Sequence, residues 1–143
     1  MATKVQRSAL VEHGPRQMFD LVADVERYPE FLAWVVDAVL HERGDSGQRA
    51  TLTVSVAGVT RKITTVNRLV PGRELELKLE QGPFNRFAGL WSFMPAGSGC
   101  RISLELEFTF DSPVLAAAFR RGFTRVADRM VDDFCRRADA LYA

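Results

Sequence analysis

DSPVLAAAFRRGFTRVADRMVDDFCRRADALY, residues 111–142, reads as one long amphipathic helix. Asp111 and Ser112 offer side-chain oxygens to the free N–H groups of a helix start, and Pro113 suits the first helical position, where its missing donor costs nothing. From Ser112 to Tyr142, the residues Leu115, Phe119, Phe123, Val126, Ala127, Met130, Phe134, Ala138 and Leu141 recur at three- and four-residue steps. They form an apolar stripe roughly 45 Å long. Arg120, Arg121, Arg125, Asp128, Arg129, Asp132, Asp133, Arg136 and Arg137 take the other side. A helix with one such face requires a partner of comparable length.

The chain upstream supplies it as strands. Ala50, Leu52, Val54 and Val56 alternate with Thr51, Thr53 and Ser55, the period of a half-buried strand. Leu75, Leu77 and Leu79 do the same between charges, and so do Phe87, Gly89, Trp91 and Phe93, then Ile102, Leu104, Leu106, Phe108 and Phe110. Val59–Val70 alternates imperfectly, which points to a bulge near Thr65 and Val66. Val35–His41 and Lys4–Val11 complete about seven strands. Turn signals at Arg43–Gly47, Gly58, Pro71-Gly72, Gly82-Pro83 and Gly97–Gly99 separate them. After the first strand, Gly14-Pro15 opens a short helix with Met18, Phe19, Leu21, Val22 and Val25 on one face. Tyr28 precedes Pro29 and is pushed out of helical geometry, so a second short helix is expected from Pro29 through Leu32. Short connections favour antiparallel neighbours, and one-sided alternation favours a sheet with one wet face. The fold class is α+β, and residues 1–143 are expected to form one domain.

Composition narrows the function. Nineteen basic and eighteen acidic residues leave a net charge of +1. That argues against any generic, charge-driven affinity for nucleic acid, DNA included, or for an anionic membrane; the arginine-rich helix face is left as a local patch, for which a solvated face is the commoner explanation. Cys100 and Cys135 fall on a strand and on the helix stripe and read as small buried hydrophobes, which fits a reducing compartment. No apolar run reaches membrane-spanning length and Met1–Arg7 is too polar for a signal peptide, so a cytoplasmic location is expected.

A sheet of about seven twisted strands presents more apolar area than one helix covers. Either bulky side chains or a ligand fill the remainder. Ala116, Ala117, Ala118 and Gly122 thin the helix, either to leave volume or to let it approach the sheet closely. Tyr28, Phe31, Leu32 and Trp34 crowd aromatic groups into a loop, and Phe84 and Phe87 follow Gly82-Pro83. Such groups either rim an opening or plug the end of the fold.

Tyr28-Pro29-Glu30-Phe31-Leu32, Gly82-Pro83-Phe84, Gly89, Trp91-Ser92-Phe93, Pro95, Cys100-Arg101-Ile102, Met130-Val131, Phe134 and Arg137-Ala138 occur in an order that resembles the coenzyme-Q-binding START-domain family. That family includes bacterial ribosome association toxins and mitochondrial quinone-binding proteins, in a superfamily with polyketide aromatase/cyclases and lipid carriers. The resemblance implies a helix-grip fold, a curved sheet around the C-terminal helix with a hydrophobic tunnel between them. Ala33, Val35 and Gln81 stand where the family commonly has proline, cysteine and an acidic residue. All three touch the loop that should gate the cavity.

No catalytic set is expected. His13 and His41 lack a nucleophile or carboxylate placed as a partner, and there is no metal-ligand cluster or phosphate-binding glycine loop. The resemblance, together with the lack of a catalytic set, implies binding of a polyprenyl, ubiquinone-like quinone or similar lipid, as a carrier or chaperone for respiration or quinone biosynthesis, with transient membrane contact and no required cofactor. The ligand-binding candidates are Phe31, Trp34, Phe84, Phe87, Trp91, Phe108, Phe119, Phe123 and Met130, with Tyr28 as a polar-tipped gate. Arg61, Thr65 and Asn67 are candidates for head-group contacts if they share the inward face with Ile63; the opposite register puts them in water. Ten carbons of buried isoprenoid tail are worth about 5–8 kcal/mol. Two alternatives follow from the resemblance: binding the large ribosomal subunit so that subunits do not join, and polyketide aromatase/cyclase activity, which requires polar groups deep in the tunnel.

Overall fold

The computed structural model describes residues 2–142. Within them the order is β1 (Thr3–Val11), α1 (Pro15–Ala23), a 3-10 helix (Val25–Glu30), β2 (Val35–Arg43), β3 (Gly47–Val56), β4 (Val59–Val70), β5 (Glu74–Gln81), β6 (Phe84–Ala96), β7 (Gly99–Phe110) and α2 (Pro113–Tyr142). The strands pair antiparallel in one sheet, in the order β1-β7-β6-β5-β4-β3-β2. From β2 to β7 each strand therefore lies beside its sequence neighbour, as tight turns require. Only β1 pairs out of sequence, and α1 with the 3-10 helix carries the chain from that edge to the other. This is the helix-grip, START-like fold.

Ser112 caps α2: its Oγ accepts the Leu115 N–H at 3.3 Å and its carbonyl accepts the Ala116 N–H. The inward face carries Phe119, Phe123, Ala127, Phe134 and Ala138, as the stripe predicts. It also takes in Val131, which the sequence pattern missed, while Leu141 is exposed. Gly122 has a packing reason. A Cβ there would lie 2.4 Å from Val56 Cγ1, so glycine lets α2 press onto the end of β3.

The 3-10 helix differs from expectation, because it contains both Tyr28 and Pro29 instead of opening at Pro29. So short a helix makes few internal bonds. Pro29 forfeits one, while the Arg27 N–H to Asp24 and the Phe31 N–H to Tyr28 bonds on either side survive. In β4 the register against β5 shifts between Thr64 and Thr65, the bulge that its broken alternation signals. A similar shift in β6 between Phe84 and Arg86 lets Phe84 and Phe87 meet at 5.0 Å on one side of the sheet, although they stand an odd number of positions, three, apart.

The core divides into two clusters. One gathers α1, the 3-10 helix and the C-terminal half of α2 around Phe93, Trp91 and Phe134. The other gathers Phe84, Phe108, Phe119 and Phe123 at the start of α2. Trp34 and Leu52 touch both.

Candidate functional site

A cavity of about 70 Å³ lies at the seam between the two clusters. The sheet supplies Ala50, Leu52, Val54, Ile63, Thr65, Asn67, Leu75, Leu77, Phe87, Trp91, Leu104 and Leu106. The 3-10 helix and the loop after it supply Val25, Tyr28 and Trp34, and α2 closes it with Phe123 and Met130. Phe123 and Met130 stand two turns apart, with the short Ala127 buried between them. None of these residues carries a formal charge at neutral pH. Hollows on the outer face are larger, but charged groups such as Lys4, Glu76, Lys78, Glu105 and Glu107 line them.

Eight of the sequence-derived candidates meet at this cavity: Tyr28, Trp34, Phe87, Trp91, Phe123, Met130, Thr65 and Asn67. Five do not. Phe31 packs edge-on against Phe134 at 5.2 Å, with the Arg137 guanidinium over its ring. Phe84, Phe108 and Phe119 belong to the second aromatic cluster, which fills one end of the bowl. The aromatics expected in loops, of which Phe84 and Phe87 in fact belong to β6, thus divide between the two roles the sequence left open: Phe31 and Phe84 plug, Trp34 and Phe87 border the cavity. Arg61 is a correction of a different kind. It shares strand parity with Ile63 but stands only two residues from the β3–β4 turn, so its guanidinium is exposed and donates to the Thr60 carbonyl.

Tyr28, the expected gate, is buried and its hydroxyl is bonded within the fold. Its hydroxyl donates to the Val22 carbonyl, and burial, with a smaller push from Asp24, keeps that hydroxyl protonated well above the usual tyrosine range. The volume is also far below the hundreds of cubic ångströms of a ready-made ligand pocket. Among the described residues the expected tunnel is present as this one narrow cavity on the inner face.

Sequence reasoning missed Gln48. It is buried opposite Asn67 across β3 and β4, accepts the Asn67 amide N–H at 2.8 Å, and donates through Nε2 to the Ala23 carbonyl at 3.1 Å. The signal was present, since Gln48 has the inward parity of Ala50 and Leu52. Position at a strand start made it look like turn sequence. Outside the cavity, His13 bonds to Asp139 and His41 to Thr51, each at 2.7 Å. Cys100 and Cys135 are unpaired. Among the described residues no group of three metal-ligating side chains converges, and no helix is long and apolar enough to cross a membrane.

Residues 11–135 match the family described as polyketide cyclase / dehydrase and lipid transport. The chain is 45% identical to the ribosome association toxin RatA of Pseudomonas aeruginosa over 143 residues, covering 99% of each chain. It is 26% identical to the mitochondrial coenzyme Q-binding protein COQ10 of Drosophila melanogaster over 133 residues, 90% of this chain and 55% of that one. Among solved structures, the ZhuI aromatase/cyclase from a Streptomyces superposes with a TM-score of 0.85 at 18% identity, covering 97% of this chain and 94% of that one, a likeness of fold.

Proposed function

We propose that this chain, which belongs to the polyketide cyclase / dehydrase and lipid transport family and within it groups with RatA, is a binding protein whose cavity receives the ring of an apolar molecule such as a polyprenyl quinone. The observation that carries this reading is an uncharged, mostly apolar cavity beneath α2, at the place where the two halves of the core meet. A lining without ionisable groups other than Tyr28 favours holding over proton transfer. The small volume means that a quinone enters by parting the two aromatic clusters, with α2 or the Trp34 loop moving. Once inside, the ring and the first isoprenoid unit are held by exclusion from water. The COQ10 relative, named for coenzyme Q binding, supports the ligand class. Native mass spectrometry of protein purified from its own host tests it. A co-purifying quinone supports the reading, and a chain that stays empty and gives no mass shift with added quinone overturns it.

A second reading, association with the large ribosomal subunit in the cytoplasm, is favoured by similarity to RatA along almost the whole chain. A surface feature agrees with it. Arg121, Arg125 and Arg129 follow one another at four-residue steps on the exposed side of α2, and none has an ion-pair partner among the described residues. Such a row complements RNA phosphates. Co-sedimentation with separated ribosomal subunits at moderate salt tests it. Binding lost on changing all three arginines to serine supports the reading, and absence of the wild-type chain from the large-subunit fraction overturns it.

A further inference from the structure

Three buried polar side-chain atoms lack a hydrogen-bond partner among the described residues: Trp34 Nε1, Asn67 Oδ1 and Arg137 Nε. Arg137 is accounted for by its ion pair with Glu30 and its stacking on Phe31. The other two belong to residues that line the cavity. Buried donors and acceptors are nearly always paired, so two orphans on one small cavity require an explanation.

Their polarity is fixed by what lies behind them. The Ala23 carbonyl, at the end of α1, can only accept. Gln48 must therefore turn Nε2 towards it, at 3.1 Å, which leaves Gln48 Oε1 facing Asn67. Asn67 must then present Nδ2 to that oxygen, at 2.8 Å. Turning either amide over would set oxygen against oxygen. Asn67, 3% exposed, thus keeps Oδ1 as an acceptor without a donor, and Gln48, 5% exposed, is held too firmly to change this. Trp34 Nε1–H is a donor under any conditions. Two residues of an otherwise mostly apolar cavity lining therefore carry one obligate acceptor and one obligate donor without partners, and the Thr65 hydroxyl is an adaptable group of the same lining.

We propose that the cavity selects a ring bearing a hydroxyl group, a phenol or hydroquinone, over the corresponding quinone. A quinone carbonyl accepts from Trp34 but meets Asn67 Oδ1 lone pair to lone pair. A hydroxyl donates its proton to Asn67 Oδ1 and accepts on its oxygen, and a hydroquinone carries two such groups. This rests on the ligand-binding reading above and adds to it the oxidation state: the protein holds the reduced form and releases the oxidised one.

The test is anaerobic titration of the full chain with decyl-ubiquinol and with decyl-ubiquinone, followed by tryptophan fluorescence. The hydroquinone should bind at least about tenfold more tightly, the difference between one hydrogen bond made and one lost. Asn67→Leu removes the acceptor and should bring the ratio of the two affinities close to one. Trp34→Phe removes a donor that both forms use, so both should weaken and the ratio should persist; calorimetry replaces fluorescence for this variant. Melting curves establish that each variant is folded. Equal or tighter binding of the quinone to the wild type, or a ratio unmoved by Asn67→Leu in a folded variant, overturns this inference and leaves the ligand-binding reading standing. Failure of both forms to bind, with water alone on Trp34 and Asn67 in a crystal soaked with the hydroquinone, overturns both.

Discussion

Replacing Ala50 with valine sets the stability of the fold against the use of its cavity. Ala50 is 3% exposed, lies opposite Thr65 on β4 and Leu40 on β2, and faces the cavity. Valine adds two methyl groups, and a volume of about 70 Å³ has room for them if each takes about the 30 Å³ share of a water molecule. At about 0.8 kcal/mol per buried carbon the filled cavity gains about 1.6 kcal/mol, and the better β-propensity of valine acts in the same direction. For a chain of this length that raises Tm by about 3–6 °C. The same substitution occupies the place of the ligand ring, so affinity for decyl-ubiquinol should fall at least about tenfold. Thermal unfolding monitored by circular dichroism, with and without ligand, reads both effects: the variant melts higher when empty and loses the shift that ligand produces in the wild type. If the site were already packed, overfilling would cost about 1–3 kcal/mol and Tm would fall. A lower Tm, or a higher Tm with undiminished binding, refutes the assignment of this cavity as the site.

Other positions test the frame around it. A Cβ on Gly99 would lie 1.8 Å from the Val11 carbonyl oxygen, so Gly99→Ala must push β1 off β7 and should cost about 3 kcal/mol or more. Gly97→Ala, with open space around it and φ of 57°, should cost only about 1–2 kcal/mol when both variants are unfolded in urea, and equal costs would contradict the packing described. Tyr28→Phe removes the hydrogen bond to Val22 and should cost about 1 kcal/mol at pH 7. The folded-state pKa of Tyr28 is raised, so its contribution is complete below the unfolded value near 10 and is lost as pH climbs beyond it; the variant's stability should fall less steeply above pH 10. Burial, followed by Asp132 and Asp139, pushes the Cys135 thiol up to about 11. At pH 8 only about 0.1% is thiolate, so iodoacetamide should label native Cys135 far more slowly than the urea-unfolded chain; comparable rates would place that thiol in the open.

The long helix and the strands were legible because each carries a single period over many residues, and one or two misplaced side chains, such as Val131 for Leu141, do not disturb a stripe of nine. The site was legible only in part. Strand parity left two registers open for Arg61, Thr65 and Asn67; the structure takes the one that turns Thr65 and Asn67 inward, while parity says nothing of distance along the strand, and Arg61 stands at the exposed end. Aromatic residues in loops mark the interior without saying whether they border space or fill it. Phe31 and Phe84 fill it because Phe134 on α2 and Phe110 on β7 lie across from them, contacts between residues far apart in sequence. Gln48 and its bond to Ala23 join a strand to the end of a helix, and no local pattern announces such a pairing.

The two readings of function meet on α2. Phe123 and Met130 close the cavity from its inner side, while Arg121, Arg125 and Arg129 leave the outer side of the same turns. A rigid helix that shifts to admit a ring carries its arginines with it. If the chain binds both a ring-bearing ligand and the large subunit through these groups, each partner must alter the affinity for the other by the same factor, since binding free energies are linked. Couplings of this kind are commonly about 5–150-fold. Co-sedimentation with large subunits, repeated with saturating decyl-ubiquinol, should therefore show a changed Kd in the wild type and none in Ala50→Val, where the cavity is filled in advance. Sedimentation unaffected by ligand in a chain shown to bind both would mean that α2 does not move to open the cavity, and would shift the opening to the loop that carries Trp34.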